Sequence, residues 1–229
     1  MSKREGGIAM RLTIAAIAGF IAGVMGSVLI MTFFGSKHNG PSAKEWGEFP
    51  TTPKVELLEG GLLVRLLEDF VYVDPAMKIW TAKKDLVSDG ASIPRAFWSI
   101  IGGPLDGEYR NAALVHDDAC DSKKEKWEDV HLMFYRACRC GGLPETKAKV
   151  MYAAVYFFGP HWQLRTVEET KQVFDMQGAA LHMTVKQTVV HAITPTQQPD
   201  PEIRTKLEKY VNDKNPTLEE LRKIDPKNL

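Results

Sequence analysis

The chain has 229 residues, with 29 basic and 29 acidic side chains and no net formal charge. That balance argues against a nucleic-acid partner held by a broad basic surface. An apolar fraction of 44% over this length suits one globular domain with appendages. Three cysteines, Cys120, Cys138 and Cys140, make an odd and low count that excludes a disulfide framework.

Residues 1–11 form a short N-terminus carrying Lys3, Arg4 and Arg11. The run from Leu12 to Phe34 contains no charge. At ~1.5 Å rise per residue, a helix of that length crosses the hydrocarbon core of a bilayer. A secretory signal has a shorter apolar region, typically ~7–15 residues, and ends at a small-x-small cleavage site. This run ends in Phe33-Phe34-Gly35-Ser36, so residues 12–34 read as an uncleaved single-pass anchor. The flanking charge lies on its N-terminal side, which keeps the N-terminus in the cytoplasm and the bulk of the chain across the membrane. Ala15, Gly19, Gly23 and Ser27 recur every four residues, and the Gly19/Gly23 face offers a route to self-association.

Residues 35–53, rich in Gly, Ser, Pro, Lys and Glu, read as a linker. A folded domain is expected over 54–165. Its first part reads as short strands: Val55 to Leu58 and Leu62 to Leu66 around Gly60-Gly61, then Phe70 to Val73, then Lys78 to Thr81. Helical spacing begins at Tyr109, where Tyr109, Ala112, Ala113, His116 and Cys120 share a face. Asp117 lies to the side of that face. Ser122-Lys123-Lys124-Glu125 reads as a capping box that starts a second helix. Trp127, Val130, His131, Phe134, Ala137 and Cys138 form its apolar stripe, and Gly141-Gly142 ends it. The short turn makes the two helices antiparallel, bringing His116 and Cys120 near His131. Cys120 and Cys138 are candidates for a disulfide in an oxidising compartment and stay reduced in the cytoplasm.

A third helix spans about Glu145 to Phe158 and is apolar on nearly every face, as a core helix is, or one leaning on lipid. Residues 166–229 read as a tail: one strand over His182 to Ile193, a proline-rich linker, and short polar helices over Glu202–Val211 and Leu218–Ile224. It is expected on the surface or against a partner protein. The predicted fold class is α+β, a short antiparallel β-sheet packed with three core helices and preceded by one N-terminal transmembrane helix.

Two stretches stand out chemically. Ser88-Asp89-Gly90-Ala91-Ser92-Ile93-Pro94 is a polar glycine turn that runs into Phe97-Trp98. About twenty residues on, Ala112-Ala113-Leu114-Val115 ends in His116-Asp117. A His-Asp pair closing an apolar helical run has few structural reasons to exist. With Phe134, Gly142-Leu143-Pro144 and Met151-Tyr152-Ala153-Ala154-Val155, these residues resemble a domain-of-unknown-function family found mostly in bacteriophages and prophages. The resemblance runs from about Lys54 to Gly159 and implies a phage origin. The chain departs from the family pattern twice. Ala119-Cys120 stands where the family carries an aromatic residue, and His131 stands where it carries an Asp three residues before the Phe.

Three readings of the chemistry follow. The local pattern is similar to that of small secreted phospholipases A2. It would make His116 a general base and Asp117 a calcium ligand, with Asp89 and the Gly90 backbone completing the cation site. A transition-metal reading uses His116, Asp117 and His131 with Asp89 or Cys120 as fourth ligand, suited to zinc and hydrolysis. The third reading is a membrane-tethered structural or interaction module of a phage, in which His116 packs in the core, Asp117 caps or bridges, and the Asp89 loop is a rigid turn. Its expected place is the host inner membrane, with the C-terminal domain periplasmic, or the phage particle.

Overall fold

The computed structural model describes residues 45–58, 63–89, 93–97, 107–174 and 176–229. The chain divides into two units, Met1–Ser42 and Ala43–Leu229, and every described residue lies in the second. The expected span over 12–34 and its Gly19/Gly23 face lie outside the described residues, as does the Gly90–Ser92 turn. Among the described residues no helix is long and apolar enough to cross a membrane.

The fold is α+β, with small antiparallel sheets and several helices. Strands β1 (Val55–Leu57), β2 (Val64–Leu66) and β5 (Val87–Ser88) form one sheet in the order β1-β2-β5. Strands β3 (Phe70–Val73) and β4 (Ile79–Ala82) form a hairpin, with Tyr72 opposite Trp80. Its turn is organised by Asp74, which is buried. Oδ1 accepts from the amides of Ala76 and Lys78 at 2.8 and 3.0 Å, and Oδ2 accepts from Trp80 Nε1 at 3.2 Å. A carboxylate taken out of water needs such donors. The short sheet expected from the sequence is thus two sheets: the chain leaves the first after β2 through residues 67–69, makes the β3–β4 hairpin, and returns through 83–86 to add β5 beside β2.

Helices α1 (Arg110–Ser122) and α3 (Glu145–Phe158) follow within a residue or two of the predicted limits, whereas α2 (Trp127–Cys140) ends where expected but starts about four residues later than the capping box implies. The capping box does not form. Ser122 closes α1, donating to the Ala119 carbonyl at 3.4 Å, and α2 starts after Lys126. Helix α2 ends at Gly141, where an added Cβ would sit 2.2 Å from the Glu108 carbonyl oxygen. Only glycine admits the backbone crossing there. Helix α3 is buried along most of its length, from Ala148 to Val155, so it is the core helix of the alternatives above.

His116 faces His131 and Phe134, which fixes the register of the antiparallel pair. Cys120 is then level with the first turn of α2, and Cys138 stands about nine residues further along, or ~14 Å at ~1.5 Å per residue. A disulfide needs Cα atoms within about 7 Å. The candidate Cys120–Cys138 bridge is therefore excluded by geometry, and no disulfide forms among the described residues.

Beyond α3 the chain makes a long two-stranded ribbon, β6 (His161–Phe174) with β7 (Ala180–Thr194). Its base is anchored by Trp162, which is buried and donates from Nε1 to the Glu125 carbonyl at 2.7 Å. Past Leu164 the ribbon is mostly exposed. Helices α4 (Pro201–Lys214) and α5 (Leu218–Lys223) correct the expectation of a surface tail. Their Leu207, Val211 and Leu221 are at most 1% exposed and belong to the core. The apolar face of α3 needed a cover, and these three side chains supply it. Arg222 Nε donates to the Tyr152 hydroxyl at 2.6 Å, and Lys149 Nζ to Asn215 Oδ1 at 2.7 Å.

Candidate functional site

The helix pair α1–α2 brings His116 and His131 into contact. The two residues occupy facing positions on antiparallel apolar stripes, so their rings meet where the stripes cross. His116 Nε2 lies 2.9 Å from His131 Nδ1. Cys120, one turn after His116 on the same face, places Sγ 3.6 Å from His116 Nε2 and 3.9 Å from Nδ1. Donor atoms of these three residues all lie within 4.8 Å of one another. His131 Nε2 is 3.2 Å from the Pro160 carbonyl oxygen. That acceptor takes the Nε2 proton and leaves the Nδ1 lone pair facing His116.

The surroundings are aromatic. The Phe134 ring lies tilted against His116 at 4.5 Å between centroids, while Trp127, His161 and Trp162 wall His131 at 5.6, 5.9 and 6.5 Å. Both imidazoles are fully buried. Burial pushes the pKa of His116 down to about 3. Burial first, then the neighbouring His116 and His161 rings, holds His131 well below the ordinary histidine range, against the pull of the Pro160 carbonyl. His161 is lowered by burial too, and its Nε2 meets the Tyr156 carbonyl at 2.8 Å. The three imidazoles are neutral at physiological pH.

Asp117 points elsewhere. The residue is 7% exposed, and its Oδ2 accepts from the Ser88 hydroxyl at 2.5 Å. This joins the start of the Asp-Gly loop to α1. Asp118, the next acid, accepts from the Lys83 amide at 2.9 Å and ties the β4–β5 turn to the same helix. Of the residues singled out from the sequence, the structure gathers His116, His131 and Cys120. It leaves Asp117 on a neighbouring face with Ser88, and Asp89 follows Ser88 at the end of β5. His161 and Pro160 were not legible, since only the return of the chain after α3 carries them to His131. Replacing Ser88 by Ala removes a hydrogen bond to a buried carboxylate. A loss of about 1.5–3 kcal/mol is expected. Urea unfolding of the Ser88→Ala variant measures it, and an unchanged midpoint would mean that the Ser88–Asp117 link does not hold the loop.

Residues 64–155 match the family model described as "Protein of unknown function (DUF1353)", so this segment carries a domain of unknown function. Among curated proteins, the uncharacterized protein y4jT of Sinorhizobium fredii (strain NBRC 101917 / NGR234) is 36% identical over 173 residues, which are 75% of this chain and 50% of that protein. The uncharacterized protein y4iH of the same organism is 40% identical over 97 residues, 42% of this chain and 41% of that protein. The chain thus spans half or less of the length of these relatives. No solved structure matches.

Proposed function

We propose that this chain is a membrane-tethered structural or interaction module of phage or prophage descent, in which the His116-Asp117 pair serves the fold rather than hydrolysis. The observation that carries the reading is the parting of the two neighbours. His116 turns inward to His131 at 2.9 Å with its ring sealed, while Asp117 accepts from Ser88. A general base has to meet its water, and a calcium ion needs several oxygens aimed at one point. The tether is supported by the uncharged run over 12–34, and the descent by the Ser88–Pro94 and His116-Asp117 motifs. A role in contact is supported by the ribbon, which exposes Phe174, Met176, Leu181 and Met183.

The full chain is expected in the membrane fraction of expressing bacteria, resistant to an alkaline carbonate wash. A chain that washes off overturns the tether. Reconstituted into phospholipid vesicles with calcium, it is expected to release fatty acid no faster than protein-free vesicles. Release that disappears in Asp117→Asn overturns the non-hydrolytic reading.

A further inference from the structure

We infer that His116, Cys120 and His131 form a binding site for one zinc-like transition-metal ion that clamps α1 to α2. This goes beyond the tethered-module reading and does not depend on it, because the site needs neither a membrane nor a partner. The argument begins with distances. Tetrahedral zinc, with Zn–N of ~2.0–2.1 Å and Zn–S of ~2.3 Å, holds its nitrogen donors ~3.3 Å apart and nitrogen from sulfur ~3.5 Å apart. The structure has 2.9 Å between His116 Nε2 and His131 Nδ1, and 3.6 Å between His116 Nε2 and Cys120 Sγ. A swing of one ring by about half an ångström brings the nitrogens to the coordinated separation.

The donor set fixes the class of ion. Two imidazoles and a thiol, without a carboxylate in the group, suit a borderline or soft metal and not calcium or magnesium. His116 and Cys120 are spaced i, i+4 on one helix face, so α1 alone presents a two-donor chelate. His131 supplies the third donor from α2, and the Pro160 carbonyl holds its far nitrogen, as a second-shell acceptor does for a ligating histidine. The fourth position of a zinc ion falls to water or another small donor. All three residues are at most 4% exposed, which makes the site a closed clamp. Binding energy in such a site adds to folding energy.

The full chain in detergent, loaded with zinc and dialysed, is expected to retain one zinc per chain by elemental analysis. Its X-ray absorption spectrum should show one sulfur and two imidazoles around the metal. Cobalt(II) in place of zinc should give a thiolate charge-transfer band. Loss of second-shell partners alone weakens metal sites roughly 10–100-fold, so Cys120→Ala should weaken binding by more than that. Cys138→Ala, on α2 away from the cluster, should leave the band and affinity unchanged. Circular dichroism of Cys120→Ala checks that the variant is folded. Wild-type protein that retains no zinc, a metal without sulfur in its absorption spectrum, or a cobalt band that survives in folded Cys120→Ala overturns the site. The cluster is then a hydrogen-bonded core contact only.

Discussion

A chain ending at Pro199 is expected to lose its cooperative unfolding transition. The deletion removes Leu207, Val211 and Leu221, each at most 1% exposed in the core. Burial of one such side chain contributes about 1.5–3 kcal/mol, so the three together contribute roughly 4–9 kcal/mol. A whole domain is stable by only about 5–15 kcal/mol. The deletion also strips Tyr152 of Arg222 and Lys149 of Asn215. Near-ultraviolet circular dichroism and a thermal melt of the shortened chain beside the intact one measure the effect. A cooperative melt within a few degrees of the intact chain would show that α4 and α5 do not complete the core.

Phe134→Ala is expected to cost about 3–5 kcal/mol, the range for removing a buried aromatic ring. Phe134 is fully buried and lies between α1 and α2, with its ring 4.5 Å from that of His116. At ~2–4 °C per kcal/mol for a chain of this size, the melting temperature should fall by roughly 6–20 °C. Phe134→Leu keeps most of the volume and should cost about 1.5 kcal/mol or less. Urea unfolding of both variants tests the pair. Equal losses in the two would mean that the ring's size is not what holds the helices together.

The central helices were legible because their apolar residues recur at helical spacing without interruption, and Gly141 marks a stop. The approach of His131 to His116 followed from the same stripes. The two positions at which the chain departs from the pattern of the family it resembles, Cys120 and His131, are also the two that the structure places beside His116. The capping box at Ser122 misled because Ser-x-x-Glu is a local signal. Here α1 runs on through Ser122 and closes with Lys123 in a left-handed conformation (φ 49°). Strand β6 was hidden by its charges. Arg165, Glu168, Glu169 and Lys171 look like a loop until their pairing with β7 is known. The tail was misjudged for a related reason. Leu207 and Val211 are four apart on a charged helix, a pattern equally suited to a solvent helix with a weak stripe. Whether it is buried depends on α3, some fifty residues earlier, and no local window contains that information.

The position of α4 and α5 sets a timetable for the nascent chain. Helix α3 leaves the ribosome some sixty residues before Leu221, the last of the three buried apolar side chains that cover it. At ~5–20 residues per second that interval is roughly 3–12 s. During it the face of α3 that α4 and α5 later cover stands open, while its other side packs on α2. Translation speed over residues 159–221, and the supply of chaperones to that intermediate, therefore govern how much of the protein reaches its native form.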